Sequence, residues 1–193
     1  MLDRLALNNR SYRRFFEEEP VDLATLRELV ALARLAASAR NLQPLRYILC
    51  TDRHTNAAIF ATLAWAGYLK EWPGPAEGER PAAYIVVLSD TAGAVPTYVG
   101  IDQGLAMQNI LLGAVERGLG GCILGSIQRG RLREVLAIED RYEILAVLAL
   151  GRPRETVVVD PVGPDGDIKY WRDADRVHHV PKRALDDLIL AEM

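Results

Sequence analysis

The residues best equipped for chemistry begin near the N-terminus, where Asn9-Arg10-Ser11-Tyr12-Arg13-Arg14-Phe15 gathers three arginines. Glu17-Glu18-Glu19 follows almost at once, and this sign reversal is wrong for a tail that tracks a polyanion, which stays basic. It fits a loop offering arginines to one local anion. Read alone, the segment is equally a solvated charged turn. A second polar group, Ser38 to Pro44 (SARNLQP), breaks a helix, because Pro44 disfavours helical geometry at Gln43. A third stretch, Gly118 to Ile127 (GLGGCILGSI), sets glycines on both sides of an apolar run. The histidines are His54 and the neighbours His178-His179, which point apart too readily for a metal pair, so no metal site is expected. Cys50 and Cys122 form no CxxC pair and read as two buried thiols. A Cys122 nucleophile would need a histidine base brought to it by the fold. No GxGxxG follows a strand, no GxxxxGK[ST] exists, and Gly125-Ser126 lacks the spacing of a nucleophile elbow.

The element that must position these residues spans Val95 to Ile127. Ile101, Leu105, Ala106, Met107, Ile110, Leu111, Leu112, Ala114, Val115 and Leu119 cover nearly every face of a helix, which predicts burial in the middle of the domain. Around it, Leu2 to Leu7 predicts a short amphipathic helix. Asp22 caps another running to Ala37, His54 to about Leu69 a third, and Arg131 to Leu136 a fourth. Strands are expected at Tyr47–Cys50, Ala82–Leu88, Cys122–Leu124 and Tyr142–Leu150, with Thr156–Val159 extending an edge. Trp72 to Pro81 must be a surface loop, since its prolines and glycines exclude regular structure. Trp65, Tyr68, Lys70 and Trp72 are candidates for the mouth of a site, although Trp65 at helical spacing reads equally as core. The tail from Ala184 to Leu190 predicts a short helix. The strands are too irregularly spaced for a repeated βαβ pattern, so a mixed-sheet α+β fold is expected, most simply as one domain over 1–193.

Half of the 193 residues are hydrophobic and a quarter charged, with a formal net charge of −3. That balance suits a globular protein and gives no footprint for nucleic acid. Asp102, Gln103, Gln108 and Asn109 interrupt the best membrane-span candidate, and no signal segment is evident, so a cytoplasmic protein with no membrane partner is expected.

Taken together, NRSYRRF (9–15), ASARNLQPLRY (37–47), GLGGCILGSI (118–127) and the tail VPKRALDDLI resemble, in order and spacing, the signature segments of the nitroreductase family. The resemblance spans essentially the whole chain. It implies an α+β fold with a mixed, mainly antiparallel sheet flanked by helices and a long buried central helix. It further implies FMN as cofactor, with NADH or NADPH as co-substrate. Hydride would pass to flavin N5 and on to a nitroaromatic, quinone or similar acceptor in a ping-pong cycle, with the flavin doing the chemistry and no catalytic side chain. Arg10, Ser11 and Arg13 match the phosphate, ribityl and pyrimidine-edge contacts, and Arg13 is the candidate cation beside N1–C2. Asn9 departs from the family's usual basic residue, and Lys182 or Arg183 would compensate from the tail. Ser38, Asn41 and Gln43 match positions that reach the flavin from a partner subunit, so a homodimer is implied. Leu124 and Gly125 match the backbone hook to N5; only main-chain chemistry carries over, because Leu124 replaces an acidic or polar residue. Relatives that perform reductive dehalogenation or flavin fragmentation are alternatives, as is a flavin-binding module without turnover.

Overall fold

The computed structural model describes residues 1–193. Four strands, β1 (Leu45–Cys50), β2 (Ala83–Asp90), β3 (Gly120–Leu124) and β4 (Tyr142–Gly151), form an antiparallel sheet in the order β1-β2-β4-β3. Both faces of β2 are buried, so its period-two alternation feeds two cores. Ile85 and Val87 face one apolar layer, which includes Leu26, Leu29, Ile110 and Leu111. Tyr84, Val86 and Leu88 face another, with Ile59, Trp65 and Leu132. The mixed α+β architecture with a mainly antiparallel sheet is the one expected.

Helices α1 (Leu2–Asn8), α2 (Leu23–Ala33), α3 (Arg53–Phe60), α4 (Pro96–Glu116) and α5 (Arg129–Leu136) surround the sheet. Asp22 accepts the Thr25 N–H at 2.6 Å and starts α2. α4 packs on α2, and a Cβ at Gly113 would collide with the Leu32 side chain, so this glycine sets how closely the two helices approach. The expected all-round burial of α4 is incomplete. Ala106, Met107, Ile110 and Ala114 are buried, whereas Ile101 is 59% and Leu105 45% exposed. The chain covers the sides of α4 that meet the sheet and α2 and leaves a stripe one turn apart to solvent. No helix is long and apolar enough to cross a membrane.

Several boundaries differ from expectation. α2 ends at Ala33, short of Ala37, and α3 stops at Phe60, far short of Leu69. Beyond α3 the backbone runs beside the exit of β3: Ala64 N–H donates to Ser126 at 3.0 Å and Gln128 N–H to Thr62 at 2.8 Å. Those partners lie sixty residues on, outside any local window. Thr156–Val159 does not extend the main sheet. After β4 the chain pairs with the N-terminal segment, Phe16 N–H donating to Arg152 and Arg154 N–H to Arg14. It then enters a second sheet of β5 (Val157–Pro161), β6 (Trp171–Arg172) and β7 (His178–Lys182), ordered β5-β7-β6 with β5 and β7 parallel. The tail helix over Ala184–Leu190 is absent; turns replace it, with Leu185, Leu188 and Leu190 exposed. An isolated helix this short is marginal without an apolar surface to pack on.

Candidate functional site

The N-terminal segment lies along the free edge of β3. Tyr12 N–H donates to Gly121 at 3.0 Å, and Ser11 bridges Gly121 in parallel. Gly120 permits the approach, because a Cβ there would stand 2.5 Å from Tyr12 Cδ2. Arg10, Ser11 and Arg13 are thereby brought to the strand that ends at Leu124–Gly125. The Leu124 side chain is buried in the core, while Gly125 is exposed, its N–H meets no backbone acceptor, and no atom lies within 4 Å of where its Cβ would be. The backbone alone is on offer at this position.

The arginines behave differently from one another. Arg10 donates through Nη2 to the Ala6 carbonyl at 2.8 Å, and its buried Nε has no acceptor. Arg13 is buried, with Nη1 donating to Ser11 O at 3.2 Å and meeting His178 Nε2 at 3.0 Å, beneath the Tyr170 ring. Its Nε is also without a partner. Arg14, which had no matched role, forms a bidentate pair with Glu79, Nε to Oε2 being 2.7 Å. Glu17 accepts from Gly78 and Arg80 N–H, so the Trp72–Pro81 loop is stitched to this segment.

Beneath the segment lies the fully buried Glu155 carboxylate. It accepts the N–H groups of Arg13 and Arg14 and the Arg172 guanidinium at 2.8 Å. Arg172 in turn lies over Trp72. Arg14 is matched by Glu79 and Arg172 by Glu155, whereas Glu155 meets Arg13 only at its backbone N–H, so the Arg13 guanidinium has no carboxylate partner. Burial, together with the nearby Arg13 and Arg172, pushes His178 down to about 4. Desolvation pushes Cys50 up to about 11 and raises Cys122, so both thiols stay protonated core residues at neutral pH. Trp65 also belongs to the core, and Tyr68 meets Tyr170.

Ser38, Asn41 and Gln43 lie elsewhere, before β1 at the opposite edge of the sheet. Three strand spacings, about 14 Å, separate the edges. Here the polar groups are satisfied internally. Ser38 Oγ donates to Asp102 at 2.6 Å and accepts from Gln43 N–H at 2.9 Å, and Ala39 N–H donates to Asp102 at 3.0 Å. Arg40, Asn41 and Gln43 all have positive φ (54°, 55° and 50°), a costly arrangement that persists only when its surroundings impose it. Ser38, Gln43 and Asp102 line a cavity of about 700 Å³ between α2, β1 and α4. Lys182 and Arg183 are exposed, and no hydrogen bond or ion pair links their side chains to Arg10–Arg13. The tail reaches the segment through His178 instead.

Sequence reasoning missed Asp102, Glu155 and His178 as site-building residues. Asp102 carried a signal, a carboxylate inside an otherwise apolar helical run. Glu155 and His178 carried none, since they meet the Arg13–Arg14 segment from more than 140 residues away.

Relatives share this architecture. A protein of Thermus thermophilus named NADH dehydrogenase is 27% identical over 86% of this chain and 94% of its own. The crystal structure of a nitroreductase family protein from Streptococcus pneumoniae superposes with a TM-score of 0.69 at 19% identity, covering 86% of this chain and 96% of that one. An FMN-dependent nitroreductase from Clostridium difficile gives 0.62 at 21% identity, covering 78% and 87%. The nitroreductase family model itself matches residues 6–152, from α1 through the end of β4 and so across both sheet edges, and the chain belongs to the nitroreductase family.

Proposed function

We propose that this protein is an FMN-dependent oxidoreductase that takes reducing equivalents from NADH or NADPH and delivers them to a small acceptor such as a nitroaromatic or a quinone. The observation that carries this reading is the concentration of unmet donors at one sheet edge. The buried Nε atoms of Arg10, Arg13 and Arg172 lack acceptors, a guanidinium charge is in excess, and the Gly125 N–H is free. Buried donors without partners cost about 1–3 kcal/mol each, so a ligand rich in acceptors is favoured there. A flavin mononucleotide has a phosphate, carbonyl oxygens and ring nitrogens to meet them, and the residues present fit it. The names of the Thermus thermophilus and Clostridium difficile relatives favour the same chemistry.

When bound, FMN supplies the two-electron chemistry, accepting hydride and passing electrons on. Arg10 binds the phosphate, with Lys182 or Arg183 as further cations from the tail. Arg13 would supply positive charge beside the bound flavin ring. The Gly125 N–H donates toward N5, and the open surface around Gly125 admits donor and acceptor in turn. Ser38, Asn41 and Gln43 cannot reach this edge within one chain, so a second copy presents them, and the exposed Ile101–Leu105 stripe of α4 serves that homodimer. Purified protein carrying flavin absorbance that NADH or NADPH bleaches without oxygen is the expected result. Flavin that stays oxidised with both donors leaves a binding module, and protein that takes up no FMN removes the reading.

A further inference from the structure

The proposed site leaves unexplained why a histidine with no solvent exposure stands behind Arg13. His178 lies on β7, where successive side chains face opposite sides, so His178 points to Arg13 while His179 points away to Asp160 and Asp173. An arginine can only donate, so the 3.0 Å contact requires a lone pair on His178 Nε2 and the proton on Nδ1. That tautomer leaves a buried N–H at Nδ1 with no acceptor, a cost accepted for the contact with Arg13. The frame around the pair is rigid. The His178 backbone N–H donates to the Thr156 carbonyl at 2.9 Å, the Glu155 carboxylate holds the Arg13 backbone N–H, and the Tyr170 ring packs on both side chains.

From this geometry we infer that His178 is a positioning residue: its Nε2 aims the Arg13 guanidinium, so that the cation at the flavin pyrimidine edge is preset before the flavin arrives. The inference rests on the FMN reading above. A free arginine side chain loses rotamer entropy when it is fixed, and fixing it beforehand lowers what binding must overcome. The acceptor role persists at working pH, because Arg13, Arg172, the neighbouring His179 and burial all disfavour a proton on His178.

Two measurements test it. In ¹⁵N-histidine-labelled wild-type protein without flavin, the His178 ring is expected to be protonated at Nδ1 and to accept a hydrogen bond at Nε2, and Arg13→Met is expected to remove that acceptor signature. A ring protonated at Nε2 overturns the inference, and this readout needs neither FMN nor a folded variant at position 178. In FMN titrations, His178→Leu is expected to weaken binding about tenfold, the value of one charge-assisted hydrogen bond. His178→Gln, which keeps an acceptor, is expected to restore most of it, and His178→Leu is expected to add nothing in an Arg13→Met background. Folded His178→Leu with unchanged affinity, or His178→Gln as weak as His178→Leu, overturns the inference. Wild-type protein that shows the expected tautomer but binds no FMN places the failure in the FMN reading.

Discussion

The two edges of the main sheet carry polar groups in opposite states. At the β3 edge, Arg10, Arg13, Arg172 and Gly125 hold donors that nothing in the chain accepts. At the β1 edge, Ser38, Ala39 and Gln43 spend theirs on one another and on the buried Asp102. The first leaves donors open, as the proposed flavin site requires, and the second is a loop already locked into shape. A locked loop suits presentation to another molecule, because its ordering cost is met on folding rather than on contact.

The largest effect that would sharpen this contrast is expected from subunit complementation. Arg10→Glu should repel the phosphate at the β3 edge, and Asn41→Glu should place a carboxylate against the flavin rim from the β1 edge. Each variant alone should lose most of its FMN. In a refolded equimolar mixture half the dimers are mixed, each with one intact site, so about a quarter of sites should recover. No recovery would mean that the edges do not meet across two copies.

Next in size come two stability changes, read by urea unfolding. Arg14→Ala should cost about 3 kcal/mol, because it removes the bidentate partner of the largely buried Glu79 and leaves it only the longer, exposed contact with Arg176. Asp102→Ala should cost about 2 kcal/mol, since it unlocks the β1-edge loop by removing an acceptor shared by Ser38 and Ala39. Arg10→Ala should leave the unfolding midpoint almost unchanged while reducing FMN retention. The opposite ranking of Arg14 and Arg10 on stability would break the division between structural and ligand-facing arginines.

The last comparison is the pH dependence of the two adjacent histidines behind the β3 edge. His178 is depressed to about 4 from an ordinary 6.5, so the unfolded chain binds its proton first. Its contribution therefore falls as pH drops from about 6.5 to about 4. For His179 burial works against the charge, but hydrogen bonds to Asp160 and Asp173 outweigh it and raise the imidazole above 6.5. Its contribution is present below 6.5 and fades as pH climbs through the raised value. Unfolding midpoints across pH should show His178→Gln flattening the acid limb and His179→Gln the alkaline one, each relative to wild type.

The strands and the central helix were legible from periodicity because each buries residues against the sheet in a repeating pattern, as β2 and α4 do. Helix ends were less so. α3 was read to Leu69 because Leu63, Ala64 and Trp65 are apolar, but Leu63 pairs with Ile127 and Trp65 enters the core without a helix. The structure brings Arg10 to Arg13 and Gly125 to one edge of the sheet and sets Ser38 to Gln43 at the other.

The sequence by itself determined the mixed α+β class and the family, because those depend on local pattern and on residue type. Only the tertiary structure decided which arginine is free to bind and which is structural. Arg10, Arg13 and Arg14 are chemically identical in the chain. They differ because Glu79, brought in from far along the sequence, pairs bidentately with Arg14, while Arg10 and Arg13 keep a buried Nε without an acceptor.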